Sequence, residues 1–177
     1  MEKNVVEYIN GKMNEITEIC KEFDYDTEIL DLEKYKIPTM SILIDKDVKG
    51  NDVIVTCNVI PIVIENYSTL FVQFYMCISD IVPDDKVDLV NEFIKQQNER
   101  FMIGNLLNFE NSVCVKYSLY FSASEKIDKD TFARSLDIFI YQANIMVIKI
   151  YDLISGNISI DEALDEGSFF YEKMNDM

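Results

Sequence analysis

Histidine and tryptophan are absent from the 177 residues of this chain, and glycine (5) and proline (3) are scarce. The missing imidazole excludes Ser-His-Asp and Cys-His nucleophile systems, histidine-ligated metals and imidazole acid–base catalysis. So few glycines form no Gly-rich phosphate loop of the Walker or Rossmann type. We therefore predict no catalytic residues and no cofactor.

The four cysteines are Cys20, Cys57, Cys77 and Cys114. They stand far apart with no C-x-x-C pair, so the spacing typical of zinc and thioredoxin-like sites is missing. We expect all four to be reduced, largely buried thiols.

One segment, DKDVKGNDVIVT, resembles a calcium loop at its first, third and sixth positions, Asp45, Asp47 and Gly50. Lys49 occupies the fifth position and Thr56 the twelfth, so a cation replaces one oxygen ligand and the bidentate glutamate is missing. We interpret the segment as a polar hairpin turn and predict no metal site.

Acidic side chains outnumber basic ones by 32 to 16, which gives a net charge of -16 and a pI near 4.2. Such a chain repels phosphate backbones and anionic lipid surfaces, so nucleic acid is not an expected partner.

No apolar signal region follows Met1, and we expect a cytoplasmic protein. The most apolar stretch, FIYQANIMVIKIYDLISG, contains Gln142, Asn144, Lys149 and Asp152; it indicates a buried helix rather than membrane insertion.

Hydrophobic periodicity predicts an α+β fold with an antiparallel sheet of about five strands, in the order α-β-β-β-α-β-β-α. The first helix spans residues 3–22. Strands follow near 39–45, 53–59 and 69–79, then a helix from Pro83 to about Arg100. Two more strands span 101–109 and 113–121, and Asp128 begins a long helix that Gly156 ends. We predict one domain over residues 1–156, with 157–177 as a short helical polar tail, packed on it or extending from it, whose helix starts with a Ser159/Glu162 capping box.

The long helix has two apolar stripes. The first contains Phe132, Leu136, Phe139, Ala143, Val147, Ile150 and Ile154, and the second contains Ile138, Tyr141, Ile145 and Ile148. The sheet can cover one stripe only, so the other needs the first helix or a second subunit. We favour a homodimer with Ile138, Tyr141, Ile145 and Ile148 as its candidate interface.

The segment VNEFIKQQNERFMIGNLLNFENSVCVKYSLYF places Asn91 and Asn98 on a helix and Gly104 before an ENSV turn, and then continues through KIDKDTFARSLDIFI into the long helix. This arrangement resembles the YbjN-like family, itself similar in fold to type III secretion chaperones. The chain lacks the tryptophan that members often show, and its tail from Asn157 has no counterpart. The resemblance implies a small acidic, often dimeric, protein-binding or regulatory domain, and it transfers no site residue.

These observations favour a non-catalytic protein-binding module, chaperone-like or regulatory, with a protein partner. A small-molecule-binding sensory regulator with a pocket between sheet and helix is the second hypothesis. An enzyme that relies on carboxylates alone is the third.

Overall fold

The computed structural model describes residues 3–30, 37–46, 52–64, 67–77, 82–100, 104–109 and 111–165. The predicted turn at Gly50, the start of the predicted strand at Phe101 and the end of the tail lie outside these ranges. The helices are α1 (Lys3–Glu22), α2 (Val87–Arg100), α3 (Lys129–Ser155) and α4 (Ile160–Leu164), with a 3-10 turn at Asp84–Lys86. The strands are β1 (Asp26–Ile29), β2 (Thr39–Lys46), β3 (Asp52–Ile64), β4 (Tyr67–Cys77), β5 (Asn105–Phe109) and β6 (Ser112–Ser122).

The strands form one six-stranded antiparallel sheet in the order β1-β2-β3-β4-β6-β5. This confirms the α+β class, but the sheet has six strands rather than the predicted five or so, because the sequence does not predict β1. β1 has only four residues, two of them acidic, so it has no hydrophobic alternation to detect. Its backbone pairs with β2 from Asp26↔Leu43 to Ile29↔Met40.

Most predicted helix ends are confirmed, because local hydrogen bonds set them. The Asp128 carboxylate accepts from the Thr131 N–H at 2.8 Å and begins α3, and Gly156 ends it with φ 75°. Ser159 and Glu162 form the predicted capping box of α4. These bonds lower the pKa of the Glu162 carboxyl.

β3 continues through Pro61 to Ile64, beyond the predicted strand end near residue 59. Pairing with β2 stops at Asn58, whereas pairing with β4 continues through Pro61↔Leu70. Beyond Val59, whose N–H donates to the Pro38 carbonyl at 2.9 Å, no described strand pairs with this side of β3. A proline, which has no N–H to donate, is tolerated there.

The chain divides into two compact units, residues 1–76 with 116–143 and residues 77–115 with 144–177. In the first unit, Phe74 of β4 is fully buried and contacts the rings of Phe132 and Phe139 at 5.4 and 5.6 Å between centroids. These are members of the predicted first stripe of α3, and the structure confirms their burial. α1 packs on β1 and β3 with Ile9, Met13 and other members of its apolar stripe buried.

The second unit has its own core. Val90 and Phe93 of α2 are fully buried, as are Leu106 of β5 and Ile150 and Leu153 at the end of α3. α4 contacts α2, and the Arg100 guanidinium donates to the Leu164 carbonyl at 3.0 Å. That bond satisfies one of the unpaired carbonyls at the end of a short helix.

Candidate functional site

The sheet of the first unit has one buried and one open face. Inward side chains on β3 and β4, such as Val55, Val59 and Val72, are fully buried. Their neighbours in sequence point the other way because side chains alternate along a strand. Ile54 on that other side is 47% exposed, so none of the described residues covers it.

Side-chain contacts on this second side define the pairing of β4 with β6. Phe71 faces Tyr120 with ring centroids 6.4 Å apart, and the Gln73 amide donates to the Ser118 hydroxyl at 3.2 Å. The Lys116 ammonium lies 5.5 Å from the centre of the Tyr75 ring. From one of these contacts to the next, the residue number rises by two on β4 and falls by two on β6, which is the pattern of an antiparallel pair.

We call this side the open face and define it by the outward residues of four neighbouring strands. They are Thr39, Ser41 and Leu43 of β2; Ile54, Thr56, Asn58, Ile60 and Ile62 of β3; Thr69, Phe71, Gln73 and Tyr75 of β4; and Lys116, Ser118 and Tyr120 of β6.

A belt of neutral polar side chains crosses the middle of the open face. Thr39 donates to the Asn58 side-chain oxygen at 2.9 Å, and Asn58 pairs in register with Gln73. The Tyr75 hydroxyl donates to the Gln73 side-chain oxygen at 3.1 Å. The belt residues therefore hold one another in fixed orientations. Thr39 is buried, and the half-buried Asn58, Gln73 and Tyr75 keep hydrogen-bonding capacity for a bound molecule.

Exposed apolar side chains lie on both sides of the belt. Leu43 pairs with Ile54 on one side, and both are exposed. Ile62 and Tyr120 are exposed on the other side, Tyr120 to 76%. An apolar patch divided by a hydrogen-bonding belt is a common composition for a protein contact surface.

The charge of the open face differs from that of the chain. Of the 177 residues, 32 are acidic, and none lies among the β2, β3, β4 and β6 residues that define the open face, although Asp26 and Glu28 of β1 pair with Leu43 and Ser41 at its border. Lys116 is the single charged residue among them. Sequence reasoning assigned these strands, but did not compare the outward positions with one another. The missing carboxylates at alternate positions were the signal that was available.

The four residues predicted as a dimer interface do not share one environment. Ile138, Tyr141 and Ile148 are exposed by 39% to 45%, whereas Ile145 is 8% exposed and therefore buried. The exposed three lie at spacings of three and seven along α3, which is one line on a helix. The structure thus presents three of the four predicted residues at the surface.

The expectation of four reduced thiols is wrong for two of them, because Cys77 and Cys114 form a disulfide. The sequence did not predict this pair, because α2 and β5 separate the two cysteines along the chain and only the pairing of β4 with β6 brings them together. Cys20 and Cys57 are free and buried. Burial raises the pKa of the Cys20 thiol to about 12, and that of Cys57 is raised as well.

Metal-ligating side chains do not gather within the described ranges: no group of three or more Cys, Asp and Glu residues there is arranged to hold an ion. Asp84 and Glu162, each next to another carboxylate in sequence, have local contacts instead. Asp84 accepts from the Asn111 amide at 3.4 Å, and Glu162 belongs to its capping box.

α3 is the one helix in the described part of the chain that is long and apolar enough to cross a membrane by length and composition. Of its most apolar 18-residue window, 44% is buried inside the structure. Core helices pass the same test, so length and composition do not decide between a core helix and a span.

A cavity of about 530 Å³ lies in the first unit beside the end of the open face. Val5 and Tyr8 of α1, Pro61 and Ile62 of β3, and residues 68 and 123–124 line it. The Tyr8 hydroxyl donates to the Ala123 carbonyl at 2.9 Å. The lining is mostly apolar, and the volume falls in the range of small-molecule sites.

No protein-family model matches the chain, and no curated protein is similar enough in sequence to be matched with it.

Proposed function

We propose that this chain is a non-catalytic protein-binding module, chaperone-like or regulatory, that acts in the cytoplasm, and that the YbjN-like resemblance reflects a shared mode of protein binding. The observation that carries the proposal is the open face: apolar and aromatic side chains are exposed around a neutral polar belt on a rigid sheet. The partner is a protein with a matching neutral surface.

The composition of the open face supports this function. The cores of protein interfaces are depleted of charged residues and enriched in aromatic ones. Phe71, Tyr75 and Tyr120 provide aromatic surface there, and Ile54 and Leu43 provide aliphatic surface. Burying such side chains contributes roughly 25 cal/mol per Å² of apolar area. The polar belt then fixes the orientation of the partner through hydrogen bonds.

The net charge of -16 also supports protein binding by the open face. A highly acidic protein repels most other acidic proteins at long range, which limits nonspecific association. At contact distance, a carboxylate pressed against an apolar partner loses hydration and costs free energy. The β2, β3, β4 and β6 positions of the open face have no carboxylate and avoid that cost, and Asp26 and Glu28 of β1 lie at its border.

The same proposal includes a homodimer through α3. Ile138, Tyr141 and Ile148 form an exposed line on this helix, and two copies related by a twofold axis would cover these lines against each other. Ile145 is buried and is therefore left out of the proposed interface.

Site-specific photo-crosslinking tests the binding surface. A photoreactive amino acid at Ile54 is expected to form a covalent product with one defined protein in cells. The control places the same group at Glu18, an exposed position on α1. Equal product patterns at both positions, or no product at Ile54, would refute the proposal.

The cavity beside Tyr8 favours a second function, a small-molecule-binding sensory regulator. Its apolar lining suits an uncharged, largely apolar ligand. Native mass spectrometry of the protein purified from cells, followed by denaturation to release any bound compound, distinguishes the two functions. A stoichiometric metabolite that is lost when Ser124 is replaced by Phe would support the sensor.

A further inference from the structure

The disulfide of the second unit joins two residues with different exposure. Cys77 is the last residue of β4 and is exposed, whereas Cys114 lies in β6 and is 9% exposed. The bond closes a segment with a sequence separation of 37, which contains α2 and β5. The two free cysteines, Cys20 and Cys57, are buried and have thiols of raised pKa.

We propose that Cys77–Cys114 is a thiol–disulfide exchange site whose substrate is a dithiol reductant, and that the reductant attacks Sγ of Cys77. Exchange requires a thiolate to reach one sulfur along the S–S axis, and access decides which sulfur is attacked. Cys77 is the more exposed residue of the pair, so its sulfur accepts the attack, and Cys114 is the leaving group.

The exchange proceeds in two steps. The first thiolate of the reductant forms a bond to Cys77 Sγ, the Cys77–Cys114 bond breaks, and Cys114 leaves as a thiolate that takes up a proton. The second thiolate of the reductant then attacks the reductant's own sulfur in the mixed disulfide and releases Cys77, which also takes up a proton. Two electrons and two protons pass from the dithiol to the protein, and the reductant becomes a disulfide.

Reduction opens the covalent ring but leaves the noncovalent contacts of the second unit. These contacts are the hydrogen bond from the Val82 N–H to the Asn111 carbonyl at 2.7 Å, the hydrogen bond from Arg100 to the Leu164 carbonyl, and the packing of the buried Val90 and Phe93. The reduced unit therefore stays folded, while α2 and β5 open more often because the ring no longer restricts the open state.

Peptide mapping and amide hydrogen exchange test the proposal on the full-length chain. After mild oxidation, two free thiols are expected on denaturation, with Cys77 linked to Cys114. Dithiothreitol should then accelerate exchange in α2 and β5 by at least about tenfold. The double variant Cys77→Ser/Cys114→Ser should exchange like the reduced wild type and ignore dithiothreitol. Four free thiols after oxidation, or unchanged exchange on reduction, would overturn the proposal.

Single variants test the point of attack. In Cys114→Ser the remaining Cys77 should react with a thiol reagent at least about tenfold faster than Cys114 does in Cys77→Ser, because exposure controls access. Equal or reversed rates would overturn the assignment of the attacked sulfur. The reductant experiment on the wild type needs neither variant to fold.

Discussion

The side-chain amide of Asn98 pairs with both main-chain groups of Leu106. Nδ2 donates to the Leu106 carbonyl at 3.0 Å, and Oδ1 accepts from the Leu106 N–H at 2.7 Å. β5 is an edge strand, and an edge exposes unpaired backbone groups. Asn98 thus acts as a short substitute for a neighbouring strand and fixes α2 to β5.

Replacing Asn98 with Ala should lower the free energy of unfolding by about 1–2 kcal/mol, because two hydrogen bonds to the backbone are lost. The matched control is Gln96→Ala on the same helix. The Gln96 amide donates to the exposed Glu92 side chain at 2.7 Å, so its loss should cost less than about 0.5 kcal/mol. Urea unfolding of both variants measures the difference, and equal costs would contradict the role given to Asn98.

Sequence reasoning found elements with strong local signals and missed those without them. α1 and α3 have long apolar stripes, and Asp128, Gly156 and Ser159 mark helix ends through local hydrogen bonds. β1 depends on pairing with β2 and has no pattern of its own. A local signal cannot reveal a partner that is distant in sequence.

The candidate site, too, was predicted from the sequence only in part. Alternation along the strands identified which residues share a face, including Gln73 and Tyr75. The pairs that build the open face, such as Gln73 with Ser118, depend on the strand order β4-β6, which single strands do not specify. The disulfide between Cys77 and Cys114 was missed for the same reason.

Lys12 anchors the connection between β6 and α3 to α1. Its ammonium donates to the Glu125 carbonyl at 2.6 Å and to both Glu15 oxygens at 3.1 Å, and it is 6% exposed. Glu15 in turn accepts from the Ile127 N–H at 3.1 Å. Lys12→Met keeps the apolar stem but removes these bonds, so it should cost about 1–3 kcal/mol of stability.

Lys21→Met is the matched control, because Lys21 forms an ion pair with Glu18 at the same spacing on the same helix. That pair is exposed, and exposed pairs contribute about 0–1 kcal/mol. Thermal and urea unfolding of the two variants should differ accordingly. A cost at Lys21 as large as that at Lys12 would contradict the anchoring role.

Substitutions at an exposed and at a buried position of α3 should have different effects. Ile138→Asp places a charge on an exposed position and should dissociate the dimer with little change in melting temperature. Ile145→Asp places a charge in a buried position and should lower the melting temperature instead. Light scattering across micromolar concentrations and thermal unfolding measure the two effects. A wild type that is monomeric throughout would end the dimer proposal.

Because Cys20 is buried, we expect the protein to lose stability at alkaline pH. Burial raises its pKa from 9.0 to about 12, so the folded state favours the neutral thiol. The stability that comes from keeping this thiol neutral is fully present below pH 9 and is lost as the pH rises towards 12. Burial raises the pKa of Tyr8 and Tyr25 as well, which acts in the same direction. The free energy of unfolding should therefore fall above pH 9, and less steeply in Cys20→Ala. Equal slopes would contradict the burial argument.

Binding by the open face is tested most directly by quantitative copurification from cells with three proteins. The wild type should retain one protein at constant stoichiometry, and Ile54→Glu should reduce its recovery at least about tenfold, because a carboxylate would be desolvated in the contact. Glu18→Ala, altered on exposed α1, should retain the partner. Melting temperatures of the three proteins serve to exclude unfolding. Equal recovery with Ile54→Glu and the wild type, or no defined partner with any of them, would contradict the assignment of the open face as a protein-binding surface.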